Sequence, residues 1–217
     1  MSAIDLNPAE IGVVRRAFGR MGWPWFVQGR NLNLFGIRPV APVPDRYGCG
    51  VGWIATDPDR GVQVGRLYRA STLPGVRALR ENRATGGVFS LAAPRRHAGL
   101  WRVGEHHGRP ALVHRPTVAA WGWRDGDGDS VHDPDRSRLV EGRGISLHDP
   151  GCTDPEFVGN SSEGCCVVWR RAWVEEIRAA VQAQEAAGFG GSVSFGLLLA
   201  DDPDLDRLRR AVAWAAA

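Results

Sequence analysis

Apolar positions recur at helical spacing near the N-terminus. Ile11, Val14, Phe18 and Met21 fall on one face of a helix predicted over residues 5–21. Its start carries a capping box, with Asn7 as the cap, Pro8 in the first turn and Glu10 three residues on. Asn31 to Ile37 alternates and predicts a strand. Residues 39–50 are rich in Pro and Gly and predict a loop. A strand over Val51–Ala55 ends at Thr56-Asp57-Pro58. Residues 60–85 carry no decisive period. Strands are expected at 87–92, 99–106, 110–115 and 117–124, punctuated by Pro94, Gly108-Arg109 and Pro116.

Residues 125–136 read as an acidic, Gly-rich loop, and short strands follow at 144–148 and 165–169. Trp173, Ile177 and Val181 mark one face of a helix over 171–187, stopped by Gly188. Ser192–Leu199 is an apolar strand, and Asp202-Pro203 opens a last helix. No internal repeat or low-complexity tract interrupts the pattern. The expectation is an α+β protein, β-rich with peripheral helices. A helical segment over residues 1–30 would precede one domain over 31–217, the two forming a single unit.

Composition narrows the classes. The 217 residues suffice for one full-sized domain. The net charge is +3, and all 27 basic residues are Arg, scattered among acids, so nucleic acid is not an expected partner. No apolar run reaches the roughly 20 residues that span a bilayer. The N-terminus has neither a basic n-region nor an apolar h-region, so no secretory signal is expected. Cys49, Cys152, Cys165 and Cys166 are then expected to be reduced.

The densest chemistry lies in Gly144-Ile145-Ser146-Leu147-His148-Asp149 and in Asn160-Ser161-Ser162-Glu163-Gly164-Cys165-Cys166. A strand ends in His148, and a turn of small residues presents Cys165. A thiolate is a nucleophile, and an imidazole beside it can take the thiol proton. Gly164 lets backbone approach a reacting carbonyl, and the Gly164 and Cys165 N–H groups are candidate oxyanion donors. Ser162 is a candidate to orient the turn. Trp121 and Trp123, two apart on a strand, share one face. They are either core or a platform for sugar rings, and Asn160 is a further weak candidate for substrate contact.

Other chemistries compete for these residues. His148, Cys152, Cys165 and Cys166 could ligate zinc, although adjacent cysteines are poor ligand spacing. A Cys152–Cys165 or Cys152–Cys166 disulfide would silence the thiol. Asp125-Gly126-Asp127-Gly128-Asp129 resembles the start of a calcium loop, but Arg136 stands where the twelfth-position Glu belongs. A solvated acidic turn is the simpler reading. His106, His107 and His114 flank a hairpin, with His107 or His114 as candidate cleft residues. The expected metal and cofactor complement is none.

The strip around His148 and Cys165 resembles the catalytic strip of the L,D-transpeptidases, in which a strand ending in His precedes Ser/Thr-x-Gly-Cys. His148, Ser162, Gly164 and Cys165 match that pattern. The 13 residues between His148 and Ser162 are slightly few for the family, Asp149 stands where Gly is common, and Cys166-Val167 replaces an apolar residue followed by an Arg or Asn region. Asn33 to Arg38, Thr56 to Pro58, Gly104 to Val113, Arg124-Asp125 and the Cys turn also resemble small phage and bacterial proteins. These resemblances imply an L,D-transpeptidase-like domain and cysteine-dependent acyl transfer on peptidoglycan stem peptides. They imply a phage-related role in wall processing or lysis, with virion or lysis partners. A chain without a signal would reach the wall after release or as a virion component. The alternative is a non-enzymatic virion or wall-binding protein on the same scaffold.

Overall fold

In the computed structural model, residues 3–81, 86–134, 136–152 and 156–213 are described. Strand residues outnumber helical ones, and the fold is mixed α+β with a barrel-like sheet. The strands are β1 (Ile4–Asp5), β2 (Asn33–Pro39), β3 (Cys49–Thr56), β4 (Gln63–Ser71), β5 (Val88–Leu91), β6 (Arg95–His106) and β7 (Arg109–His114). They continue with β8 (Ala120–Asp125), β9 (Val140–Gly142), β10 (Leu147–His148), β11 (Cys166–Val168) and β12 (Ser192–Ala200). The helices are α1 (Pro8–Arg20), α2 (Val76–Glu81), α3 (Arg171–Gln184) and α4 (Pro203–Val212).

The main sheet runs β4-β11-β10-β7-β6-β12-β2-β3, and β3 pairs back onto β4, so it closes on itself. Closure gives each of these strands a neighbour on both sides and removes the exposed edges of an open sheet. Two neighbouring pairs are parallel, β12 with β2 and β10 with β11. A second sheet, β5-β8-β9, stands beside the first.

β2 explains why the core reads as two clusters. Leu34 faces Val51, Tyr68, Trp101, Leu112, Leu147 and Phe195, where α3 adds Trp173, Val174, Ile177 and Val181. Its neighbours Phe35 and Ile37 face the opposite way, against Ile11, Val14 and Phe18 of α1 and Leu205, Leu208 and Val212 of α4. Both faces of β2 are therefore buried, and each large apolar side chain so covered contributes roughly 1.5–3 kcal/mol.

The expected capping box of α1 is present: Asn7 Oδ1 accepts from the Ala9 and Glu10 N–H groups, and Glu10 accepts from the Asn7 N–H. Met21 lies past the helix end and is exposed, so it does not extend the apolar stripe. The tract over 60–85 contains β4 and α2. β4 lacked a clear sequence signal because Arg66 and Arg69 interrupt its apolar residues. Arg69 is nevertheless buried, its guanidinium lying over the Trp169 ring. The predicted loop over 39–50 gives way to β3 at Cys49, two residues before the apolar run begins. The predicted strand at 144–148 shortens to Leu147–His148, and the helix over 171–187 ends its α-helical part at Gln184.

Candidate active site

The parallel pairing of β10 with β11 builds the site. Leu147 lies opposite Cys166 and His148 opposite Val167. The Cys166 N–H donates to the Ser146 carbonyl, carrying the register back one step to Ser146 and Cys165. Leu147 and Cys166 join the hydrophobic core, while His148 and Cys165 both line one cavity. A ring nitrogen of His148 and Cys165 Sγ, together with a ring nitrogen of His106, all lie within 4.8 Å of one another.

The imidazole is oriented from behind. His148 Nδ1 is 2.6 Å from the Asp149 carbonyl oxygen, which accepts its proton. That contact selects the tautomer whose Nε2 carries a lone pair, and Nε2 is buried with no hydrogen-bond partner in the described structure. Burial, reinforced by the nearby His106, holds His148 down at about 4, so it is neutral at pH 7. Burial also pushes the Cys165 thiol up to about 11, against the opposing Ser146 N–H, 3.3 Å from Sγ. The resting pair is therefore thiol and neutral imidazole, and the proton must move as the sulfur attacks.

The Cys turn is held by its own residues. Ser162 Oγ donates to the Cys165 carbonyl at 2.8 Å and accepts the Gly164 N–H at 3.1 Å. Ser162 thus orients the turn, but the Gly164 N–H is committed to it, which corrects its expected place as an oxyanion donor. Gly164 has φ 131°, and a Cβ there would lie 2.5 Å from the Phe89 carbonyl oxygen. Gly164→Ala is expected to cost at least about 1–3 kcal/mol through backbone strain alone. Urea unfolding checks this, and a midpoint equal to wild type would contradict it.

A cavity of about 740 Å³ opens over the pair. The second sheet supplies Phe89, Arg124 and Gly142, and the β6–β7 hairpin supplies His106, His107 and Arg109. His107 and Gly108 have φ values of 51° and 72°, the left-handed backbone that a two-residue hairpin turn requires. This turn sets His106 on the His148 ring, with centroids 4.5 Å apart and planes at 25°.

Asp149, the departure from the usual Gly, has a defined place. Its carboxylate is buried, accepts the Gly151 N–H at 2.7 Å and pairs with Arg109 at 3.0 Å. It thereby ties the loop after His148 to β7. Arg109→Ala would leave that carboxylate buried without its cation. Loss of about 3 kcal/mol of stability is expected, readable in denaturant melts, and largely recovered in Arg109→Ala/Asp149→Asn.

Among the other sequence candidates, Asn160 lines the cavity and Trp121 and Trp123 do not. Trp121 is 38% exposed and faces Arg95, while Trp123 is half-buried beside Arg136. His107 lines the cavity. His114 instead braces its wall, accepting the Gly144 N–H at Nδ1 and donating from Nε2 to the Val118 carbonyl. All four cysteines are free; Cys152 is exposed and Cys166 is buried, its side chain facing the core. Carboxylate oxygens of Asp125, Asp127 and Asp133 lie within 4.8 Å of one another, while Asp129 caps the Val131 N–H.

Sequence reasoning missed His106, Arg109, Arg124 and Arg143 as cavity residues. The hairpin turn was legible, but no local pattern says which face of a distant strand its histidine meets.

The fold and cavity together define a mixed α+β protein with a closed sheet and a cysteine–histidine pair. The chain matches no family model, and comparison with curated proteins and with solved structures likewise finds no match.

Proposed function

We propose that this protein is a cysteine-dependent acyl transferase or peptidase acting on peptidoglycan stem peptides, on an L,D-transpeptidase-like domain. The observation that carries the reading is that His148 and Cys165 line one cavity, with the His148 tautomer set by the Asp149 carbonyl. Cys165 Sγ attacks the peptide carbonyl carbon and its proton passes to His148 Nε2. The C–N bond breaks and His148 returns the proton to the leaving amine. An amine or a water then resolves the thioester, giving transpeptidation or hydrolysis. The Ser146 N–H favours the developing thiolate, and the Cys165 N–H is the proposed backbone donor to the oxyanion.

Arg124 lines the cavity beside Arg109 and Arg143, which pair with Asp149 and Glu141, and its guanidinium suits a peptide bearing a carboxylate. A phage-related role in wall processing or lysis follows from the resemblance of Asn33 to Arg38, Thr56 to Pro58, Gly104 to Val113, Arg124-Asp125 and the Cys turn to small phage and bacterial proteins. Incubation of wild type and Cys165→Ala with purified tetra- and pentapeptide muropeptides, read by mass spectrometry, tests the reading. New cross-linked or shortened stems are expected with wild type alone. Identical spectra for both would remove the peptidoglycan assignment and favour a non-enzymatic wall-binding or virion role.

A further inference from the structure

His106 takes no part in the acyl transfer proposed above, yet it stands on one partner and close to the other. Its ring stacks on His148, and one donor atom from each of His106, His148 and Cys165 falls within a common 4.8 Å span. Two imidazoles and a thiolate are a common ligand set for a borderline-soft divalent ion. Around tetrahedral zinc such donors sit about 3.3–3.6 Å apart, so they must close by up to about 1.2–1.5 Å, and because a metal lies in the plane of each imidazole it binds, the His106 ring must also swing out of its stack on His148. His106 ends β6 at a two-residue turn and is only partly buried, which leaves its ring room to make that adjustment.

Two further features fit metal binding. His148 Nδ1 donates to the Asp149 carbonyl, the outer contact that fixes a ligating imidazole with its other nitrogen forward. That forward atom, Nε2, is buried in a side chain 7% exposed and has no partner in the described structure.

We propose that His106, His148 and Cys165 form a binding site for a zinc-class divalent cation, with the fourth coordination position open to the cavity. Binding replaces the thiol proton with the metal and releases that proton to solvent. The occupied sulfur is no longer available to attack a carbonyl, so the same atoms serve one role at a time. The binding claim rests on the ligand geometry alone; only its consequence for turnover rests on the acyl-transfer reading.

Cobalt(II) is the probe, added to the full-length reduced protein without oxygen. A thiolate-to-cobalt charge-transfer band rising to one equivalent is expected, with release of one proton and displacement by zinc. The band should vanish in Cys165→Ser. In His106→Ala and His106→Gln the affinity should fall at least tenfold. An oxygen-only ion at Asp125, Asp127 and Asp133 would give no such band. Absence of the band in wild type overturns the site, as does a band that persists in Cys165→Ser or unchanged affinity in both His106 variants. The readout is optical, so a protein inactive on muropeptides still decides the question.

Discussion

Cys165→Ala is expected to remove acyl transfer almost completely, by about 10⁴-fold or more, while leaving the fold intact. The change leaves the Ser162 and backbone bonds of the turn in place and removes only the sulfur's contacts with the Ser146 N–H and the Gly144 carbonyl. His148→Gln should cost about 10²–10⁴-fold, because it removes the acceptor for the thiol proton without removing the nucleophile. The pH profile separates the two. With the thiol raised to about 11 and the imidazole lowered to about 4, the neutral pair persists across the whole middle range. Turnover should be flat from about pH 6 to pH 9, and His148→Gln should instead rise with pH as free thiolate accumulates. Iodoacetamide labelling of Cys165, located by peptide mass spectrometry, should likewise be slow at pH 7 and climb above pH 9. Rapid labelling at pH 7 would show a preformed thiolate and contradict the neutral pair.

Acid should unfold this protein sharply. Burial holds His97 and His148 at about 4 and His132 at about 3, with Arg38 nearby opposing charge on His97 and His132. An unfolded histidine titrates near 6.5. The folded values are lower, so the unfolded chain binds protons first as pH falls. The contribution of these groups is fully present above about pH 6.5 and is lost as pH falls toward 4. At pH 4.5 each costs roughly 2–3 kcal/mol, about 8 kcal/mol for the three if independent. That is comparable to the whole stability of an ordinary domain. Thermal melts followed by circular dichroism should show Tm dropping steeply between pH 6.5 and pH 4.5. A Tm constant over that range would mean that these rings are already accessible to protons in the folded state.

The local devices were legible because they depend on neighbours in the chain. The Asn7 capping box, the Asp202-Pro203 start of α4 and the Ser162-to-Cys165 turn each satisfy backbone groups within three residues. The pairing of His148 with Cys165 was legible only as a pattern of order and spacing. The role of Gly164 was half legible: the need for glycine follows from the turn, whereas the loss of its N–H to Ser162 depends on a hydroxyl rotamer. β4 and the cavity wall were not legible, because Arg66, Arg69, Arg109, Arg124 and Arg143 read alike as solvated charge in one dimension. Burial against Trp169, pairing with Asp149 and a place on the cavity wall distinguish four of them only in space.

The amino-acid sequence by itself determined a β-rich α+β chain, the helices that cover its sheet, and the nucleophile–base candidates His148 and Cys165. These follow from periodicity, caps and turns, which are set by steric and hydrogen-bond rules over a few residues. The tertiary structure alone decided that the main sheet closes, that β10 runs parallel to β11, and that a hairpin more than forty residues upstream lays His106 on His148. Those outcomes depend on strand register between distant segments. A one-residue slip would turn His148 or Cys165 to the opposite face, so the site exists only where the packing of both cores fixes that register.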